Sequence, residues 1–335
     1  MRIYVMAFTE KGKALGKRIF SDWKPEEVFF RENETLKEWT KKGWEAGGTL
    51  VYIGATGIAV RAIAPFVDNK LEDCPVLVMD EDGKYVIPIL SGHVGGGNEL
   101  ANRIADQNRM TAVITTATDL RGVFAVDIFA KKQKLHIINK EGIAKVSGKV
   151  LKNERIKMSV ENNLFFGSVP KEVEMVPYPT EGMVDVMVST QKKDQEKALL
   201  TLKPKQYVLG MGCKKGKTKE ELWNFLQKEV SLDQPEEIYC LASVEQKKKE
   251  EGLCLLASRN RWEYRTFSAE ELMQVRGEYS SSSFVRDTIG CDNVCERSAM
   301  LAAGEQGQLI LQKVAKDGMT AALAKRKWSV NFDEE

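Results

Sequence analysis

The sequence predicts an α/β protein with two α/β/α-type domains, each with a mostly parallel sheet, joined by a small strand-rich middle segment. Short apolar strands alternate with amphipathic helices in the first and last parts of the chain, whereas the part between them is rich in Lys, Glu and short strands. The 335 residues also exceed one typical domain. We therefore expect an N-terminal domain over 1–140, a middle segment over 141–205 and a C-terminal domain over 206–335.

Composition and charge favour an ordinary globular protein without general affinity for polyanions. The chain is 43% hydrophobic and 29% charged, and its formal net charge is +2. This near balance predicts no nucleic-acid partner, so an acidic ligand would bind to a local basic patch. The N-terminal residues begin directly as a strand, and no apolar run approaches the roughly 18 residues that a membrane span needs. We therefore expect a cytoplasmic protein with no membrane contact.

Cysteine usage favours reduced thiols over disulfides or metal ligands. The six cysteines lie mostly in apolar segments, which is typical of core thiols in a cytoplasmic chain of this length. Cys291 and Cys295 have a CxxxC spacing, but no second pair with matching ligand spacing accompanies them. We therefore expect no protein metal site.

In the N-terminal part, short buried strands are separated by turns and helices. The turn at Gly54 and Gly57 opens a short helix that Pro65 stops. Pro88 lies within a predicted strand and indicates an edge position or a bulge. The predicted strands are 2–9, 49–53, 76–79 and 85–90, and a helix is predicted at 36–44.

The stretch from Tyr85 to Asp119 predicts a βαβ unit. An apolar run is followed by the loop SGHVGGGN at 91–98, by a helical pattern, and by a β-branched run at 111–116 within a stretch that ends in TTATD. This order implies a parallel strand pair. Because ligands bind beyond the carboxyl ends of such strands, we expect both loops to face the same crevice.

The rest of the chain changes character twice. Between 141 and 206 Lys and Glu dominate, and short strands replace the alternation with helices. From 207 onward a second α/β pattern follows, with Thr218 as an N-cap and Glu221 completing a capping box. The predicted strands are 155–160, 172–177, 185–189, 207–210, 238–243, 262–267, 309–314 and 319–325, and a helix is opened by 290–299.

The glycine-rich loop carries the first candidates for chemistry. Gly95, Gly96 and Gly97 precede a helix start at Asn98, where backbone N–H groups and the helix dipole favour a carboxylate or a developing oxyanion. The alternative is a turn that only reverses the chain. His93 is one of two histidines and is suited to proton transfer near neutral pH, or to tying the loop down by hydrogen bonds.

The loop TTATD adds polar groups at a strand end. Asp119 is suited to orient His93 or to activate water, and the alternative is a cap on the next segment. Thr116 and Thr118 contribute hydroxyl groups, whereas Thr115 fits simple strand propensity.

Arg61 lies one helical turn past Gly57. It could clamp a carboxylate through its guanidinium or form a surface ion pair. His136, in an alternating run, is interpreted as structural.

The C-terminal part offers a second anion-binding loop. Residues 210–212 read Gly-Met-Gly, and Lys214 and Lys215 follow. This loop is not a Walker A motif, because the Gly-Lys-Thr at 216–218 lacks the first glycine upstream. The lysines at 247–249, followed by two acids, are typical of a solvated helix face, and Glu296 is typical of a helix-dipole partner.

Taken together, these stretches resemble the CbiG family of anaerobic cobalamin biosynthesis. GATGIAVRAIAPFV, VLVMDEDGKYVIPILSGHVGGGNELANRIA and AVITTATD resemble its N-terminal domain. YVLGMGCKKG, LASVEQKKKEEGLCLLA, FSAEEL, SSSFV and IGCDNVCERSAMLAA resemble its C-terminal domain, which is similar to the stand-alone CobE protein of the aerobic route. The resemblance covers nearly the whole chain in order. Cys295 stands where a small aliphatic residue is expected, and the middle segment is the least distinctive part.

The resemblance implies a substrate and a reaction. The substrate is cobalt-precorrin-5A, a contracted cobalt corrinoid with a δ-lactone between a ring A acetate and the extruded carbon. Water opens the lactone, and the extruded carbon leaves with its methyl group as acetaldehyde, giving cobalt-precorrin-5B. Cobalt is carried by the substrate, so the resemblance implies no cofactor. It leaves room for transient contact with other enzymes of the pathway and for a homodimer.

Within this framework, we expect His93 and Asp119 to be the catalytic residues. His93 would transfer protons, and Asp119 would orient His93 or water; the resemblance itself does not establish these roles. The residues expected to bind the substrate are Gly54, Gly57, Arg61, Ser91, Gly95, Gly96, Gly97, Asn98, Thr116, Thr118, Gly212 and Lys214.

Two other classes of protein remain open at this stage. A tetrapyrrole carrier would bind the corrinoid without releasing acetaldehyde. A nucleotide- or sugar-phosphate-binding protein would account for the glycine loops alone, but the Walker lysine is missing and no acidic residue closes the second strand as in dinucleotide-binding folds.

Overall fold

The structure of the chain is a computed structural model. It describes residues 2–24, 27–68, 73–92, 95–116, 121–281 and 289–333. The chain divides into two compact units, Met1–Ile128 and Phe129–Glu335. Both units are built from helices and mostly parallel strands, which confirms the predicted fold class. Within these described ranges, no helix is both long enough and apolar enough to span a membrane.

The first unit is a sheet with helices on both faces. Its elements are β1 (Ile3–Ala7), α1 (Glu10–Ile19), β2 (Val28–Phe30), α2 (Leu36–Glu45), β3 (Thr49–Ile53), α3 (Thr56–Ile63), β4 (Val76–Met79), β5 (Tyr85–Leu90), α4 (Gly97–Asn108) and β6 (Thr111–Ala112). The strand order is β2-β1-β3-β4-β5-β6. Leu15 of α1 and Ile104 of α4 join the core on one face, and Trp39 of α2 and Ile63 of α3 join the core on the other.

The direction of β5 differs from that of its neighbour β4. The two strands are antiparallel, with Val76 opposite Leu90 and Leu77 opposite Pro88, and a register shift separates these two pairs. The predicted bulge at Pro88 is therefore confirmed. The alternative edge position is wrong, because β5 pairs with β4 on one side and with β6 on the other.

β5 and β6 form the predicted parallel pair, but β6 is shorter than the predicted 111–116. Thr111 N donates to Lys84 O (2.8 Å) and Val113 N donates to Val86 O (2.9 Å). In this alternation, the next donor from β5 would be residue 88, which is a proline and has no N–H group. The ladder therefore ends early, and the chain leaves the sheet.

The second unit begins within helix α5 (Val126–Lys132) and first forms a five-stranded sheet. Its elements are β7 (Leu135–Ile137), α6 (Glu141–Leu151), β8 (Ile156–Val160), β9 (Phe165–Phe166), β10 (Val173–Met175), β11 (Val184–Val188) and β12 (Ala198–Pro204). The sheet order is β10-β8-β11-β12-β7, and only the β12–β7 pair is antiparallel among the pairs described. Helix α6 was missed by the sequence analysis, although Ile143, Val146 and Val150 form a buried stripe at helical spacing.

A second sheet follows in the same unit. Its elements are β13 (Tyr207–Cys213), α7 (Lys219–Phe225), β14 (Ile238–Val244), α8 (Glu251–Asn260), β15 (Glu263–Phe267), α9 (Ala269–Gln274), α10 (Val294–Ala303), β16 (Gln308–Lys316) and β17 (Met319–Lys325), and β18 (Val330–Asn331) pairs with β9. The order is β15-β14-β13-β17-β16, with parallel pairs among the first three strands. The predicted capping box of Thr218 and Glu221 is confirmed at the start of α7.

Gly210 allows α10 to pack directly on β13. A Cβ at Gly210 would overlap Cys295 O and lie 2.9 Å from Ala299 N. We expect Gly210→Ala to lower the free energy of unfolding by about 1–3 kcal/mol, because the buried helix backbone would have to move away. Urea denaturation measures this loss.

Gly148 in α6 provides the matched control. A Cβ at Gly148 meets no atom within 4 Å, so Gly148→Ala should leave stability unchanged or raise it by up to about 1 kcal/mol. Equal losses in both variants, or no loss in Gly210→Ala, would contradict this account of the packing.

The surroundings of His136 predict sensitivity of the fold to acid. Burial in β7 lowers the pKa of its imidazole below the ordinary value of 6.5; Glu236 opposes this shift and Lys205 adds to it. Below pH 6.5 the unfolded chain therefore binds more protons at this residue than the folded chain does. The contribution of His136 to the free energy of unfolding should be complete above pH 6.5 and should decrease as the pH falls below it.

Equilibrium unfolding of the wild type and of His136→Gln, at pH values on both sides of the imidazole pKa, measures this effect. The variant should lose less stability than the wild type on acidification, because glutamine does not take up a proton. An identical loss in both proteins would show that other groups cause the acid sensitivity.

Candidate active site and lysine-lined cavity

The loop after β5 folds back on itself before α4 begins. Gly97 N donates to Ser91 O (3.3 Å), and Asn98 N donates to Gly92 O (2.7 Å). Gly96, the N-cap residue of α4, has a left-handed φ of 86°. Two of the amides at the helix start are therefore already used within the loop.

Close packing accounts for the glycines of this loop. A Cβ at Gly95 would overlap Ser91 O, and a Cβ at Gly92 would overlap the side chain of Asn98. These contacts and the φ of Gly96 fit the turn interpretation. Anion binding by the amides of Gly95, Gly96 or Gly97 stays a prediction.

Asn98 connects the two loops that follow β5 and β6. Its Nδ2 donates to Thr116 Oγ1 at 3.1 Å, and the residue is only 8% exposed. Ser91 Oγ is also buried, and it has no hydrogen-bond partner in the described part of the chain. The structure thus brings Ser91, Asn98 and Thr116 to one edge of the sheet, as the parallel direction of β5 and β6 requires.

Three predicted residues, His93, Thr118 and Asp119, lie outside the described residues. Their roles stay predictions. Their chain neighbours Gly92 and Thr116 are held at the same edge through Asn98, since Asn98 N bonds to Gly92 O and Asn98 Nδ2 bonds to Thr116.

Gly54, Gly57 and Arg61 do not join this group. β3 is parallel to β4 and β4 is antiparallel to β5, so the carboxyl end of β3 lies at the opposite edge from that of β5. Gly54 has a φ of 153°, and a Cβ there would lie 2.7 Å from the ring of Phe8. Arg61 is exposed, and its Nη1 donates to Gly57 O (3.2 Å).

The second unit contains a cavity of about 370 Å³ where β13 and β14 end. Gly212 and Lys214, both predicted to bind substrate, lie on its wall. The cavity is bounded by the carboxyl ends of two parallel strands and by the start of α10, which is where open α/β sheets commonly bind ligands. Four lysines line it: Lys214, Lys215, Lys247 and Lys313.

Lys247 was misjudged by the sequence analysis. It ends a short 3₁₀ turn after β14, and only 13% of its side chain is exposed, whereas Lys248 and Lys249 are exposed. Its Nζ lies 2.8 Å from Glu250 Oε2, and Glu250 Oε1 accepts from Gly216 N (2.7 Å). Burial alone would raise the pKa of the Glu250 carboxyl, but these two hydrogen bonds outweigh it and the pKa lies below its ordinary value. No local signal in the sequence separates Lys247 from the neighbouring Lys248 and Lys249, and only the fold does so.

Two cysteines, Cys213 and Cys295, also line the cavity. Burial raises the pKa of Cys213 to about 11 and that of Cys295 to about 11. Both side chains are therefore neutral thiols near neutral pH, and neither is a ready nucleophile or metal ligand. No disulfide links the six cysteines, all of which lie in the described part of the chain.

Glu296 has a larger role than that of a helix-dipole partner. The residue is 1% exposed, and its carboxylate accepts hydrogen bonds from Ser280 N (2.9 Å) and from Lys313 N (2.7 Å). The Asn293 side chain, which caps α10, also donates to it. Glu296 therefore fixes the backbone of Lys313 against the start of α10.

Two family profiles match parts of this chain, and one solved structure covers most of it. The profile described as "Cobalamin synthesis G N-terminal" matches residues 38–119, and the profile described as "Cobalamin synthesis G C-terminus" matches residues 207–324. A solved structure of a cobalamin biosynthesis protein G homologue from Sulfolobus solfataricus is 24% identical, covers 97% of each chain and has a TM-score of 0.44.

Two curated relatives carry the name cobalt-precorrin-5A hydrolase. The relative from Salmonella typhimurium is 29% identical over 96% of this chain and 97% of its own length. The relative from Priestia megaterium is 31% identical over 79% of this chain and 75% of its own length. This chain therefore belongs to the cobalamin synthesis G (CbiG) family.

Proposed function

We propose that this chain opens the δ-lactone of cobalt-precorrin-5A with water and releases the extruded carbon, with its methyl group, as acetaldehyde. The product is cobalt-precorrin-5B. The hydrolase activity is supported by relatives that bear this name and align with 96% and 79% of the chain. The release of acetaldehyde is what the resemblance to the CbiG family implies, and it goes beyond those names.

The proposed reaction balances without an oxidant or a reductant. Water adds to the lactone carbonyl, the acyl–oxygen bond breaks, and the ring A acetate becomes a free carboxylate. The oxygen that stays on the extruded carbon becomes the carbonyl oxygen of acetaldehyde as the bond from that carbon to the ring breaks. The ring takes up the electron pair and a proton. We therefore propose no redox cofactor or nucleotide, and cobalt arrives as part of the substrate.

We propose that this chemistry takes place at the loops after β5 and β6. The hydrogen bond from Asn98 to Thr116 is the observation that carries this assignment, because it holds together the loop that contains His93 and the loop that contains Asp119. In our proposal, His93 removes a proton from water and Asp119 orients His93 or water. A backbone amide of the glycine loop stabilises the oxyanion of the tetrahedral intermediate.

Acetaldehyde release tests the proposed function directly. The purified chain, incubated anaerobically with cobalt-precorrin-5A, should release acetaldehyde in step with the loss of substrate, and His93→Ala should lose most of this activity because it lacks the proton-transfer group. The aldehyde is trapped and quantified. Tight binding of the corrinoid without acetaldehyde would instead identify a carrier, and undiminished turnover by His93→Ala would remove His93 from the mechanism.

The contact between the loops predicts a difference between two neighbouring threonines. Thr116→Val removes the hydroxyl group that accepts from Asn98 Nδ2, and the loss of this hydrogen bond costs about 1–2 kcal/mol in a mostly buried position and lets the loops separate. We expect kcat/KM to fall by about 5–30-fold. Steady-state kinetics measure this fall.

Thr115→Val is the matched control. It makes the same chemical change, the loss of a threonine hydroxyl group, at the adjacent residue, which is exposed. Its kcat/KM should change less than about twofold, as for most exposed substitutions. Asn98→Ala combined with Thr116→Val should cost little more than Asn98→Ala alone, because both changes remove the same hydrogen bond. Equal effects of the two threonine variants would contradict a role for the Asn98–Thr116 contact.

A further inference from the structure

We propose that the lysine-lined cavity of the second unit binds peripheral carboxylates of the corrinoid substrate, and that Lys214, Lys215 and Lys313 are the residues that hold them. The proposal rests on the proposed function for the identity of the ligand. The proposed binding site is separate from the loops after β5 and β6. Of its three lysines, only Lys214 was predicted from the sequence to bind substrate.

The charge of the cavity is the first argument. Four lysines line it, and its lining contains no aspartate or glutamate among the described residues. Lys247 is paired with Glu250, but within the described ranges no carboxylate lies within 4.0 Å of the other three ammonium groups. A concave site lined by charges of one sign concentrates ligands of the opposite sign. The expected ligand therefore carries several negative charges.

The walls of the cavity are the second argument. The lining also includes the apolar residues Val244, Ile289 and Val294. A site that combines apolar walls with a few charged groups fits a ligand with a hydrophobic body and anionic arms. A volume of about 370 Å³ is at the lower end of small-molecule sites, so the cavity takes one edge of a macrocycle with its side chains.

The positions of the lysines are the third argument, because two of them are attached to fixed backbone. Lys214 N donates to Gly318 O (2.8 Å), and the stem of Lys214 lies across Gly318, where a Cβ would come within 2.7 Å of it. Lys313 N donates to the buried carboxylate of Glu296 (2.7 Å). The long lysine stems leave the ammonium groups free to follow flexible acetate and propionate arms.

Binding of a stable corrinoid tests this proposal without requiring turnover. The probe is cobyrinic acid, a cobalt corrinoid with free peripheral carboxylates, and its fully methylated ester is the uncharged comparison. Titration calorimetry of the full chain should show binding of the acid, weaker binding at high salt because screening acts on exposed charges, and much weaker binding of the ester. Failure of the wild type to bind the acid would overturn the proposal.

Two double variants separate the cavity from general surface charge. Lys214→Gln with Lys313→Gln should weaken binding of cobyrinic acid by about tenfold or more. Lys248→Gln with Lys249→Gln removes the same charge from exposed lysines beside the cavity and should change the affinity less than about twofold. Equal effects of the two pairs, or no effect of the first, would overturn the proposal. Thermal unfolding of each variant checks that the fold is retained.

Competition and kinetics complete the test. Inorganic phosphate and ATP should displace cobyrinic acid only at concentrations far above its own, and tighter binding of ATP would identify a nucleotide site instead. If the wild type turns over the substrate and Lys214→Gln/Lys313→Gln has the same KM, the proposed binding site is rejected and the proposed hydrolase function is retained. If cobyrinic acid binds through these lysines but the chain does not open the lactone of its substrate, the proposed hydrolase function is rejected and the proposed binding site is retained.

Discussion

The reversal of direction between β4 and β5 decides which loops of the first unit come together. The turn between these strands is fixed by Asp80, whose Oδ1 accepts from Lys84 N (2.9 Å) and from Tyr85 N (2.6 Å), and by Gly83 with a left-handed φ of 69°. Because β5 runs against β4, the loop that begins at Ser91 reaches the edge where β3 and β4 start. Parallel pairing of β5 with β6 then brings Thr116 to the same edge.

The same constraint separates groups of residues that look equivalent in the sequence. Gly54 and Ser91 each directly follow a strand, yet they lie at opposite edges because β5 runs against β4. The proposed hydrolytic loops therefore do not include the glycines after β3. The contact between Asn98 and Thr116 is the local consequence of this topology on which the proposed chemistry depends.

In the second unit, a similar edge of parallel strands supports a different kind of site. The ends of β13 and β14 and the start of α10 enclose the lysine-lined cavity. Gly210 sets how closely α10 approaches β13, and Glu296 holds Lys313 against the start of that helix. The site thus combines charged groups on flexible stems with a rigid frame, which suits recognition of several carboxylates on one ligand.

Local signals made much of this predictable from the sequence. The capping box at Thr218 and the buried run of β3 depend on neighbours in the chain and are found where the sequence places them. The direction of β5 depends on pairing between distant strands, so periodicity alone does not determine it. Likewise, Lys247 looks the same as Lys248 in the sequence, and only the fold buries one and exposes the other.

The origin of the oxygen in the product tests the central claim, that water attacks the lactone carbonyl. A single turnover of cobalt-precorrin-5A in water enriched in ¹⁸O, followed by mass spectrometry of the corrinoid product, distinguishes the two bonds that water could break. Our account predicts one ¹⁸O atom in the ring A acetate of the product. A corrinoid product without the label would show that the acyl–oxygen bond stays intact, and would contradict attack of water on the lactone carbonyl.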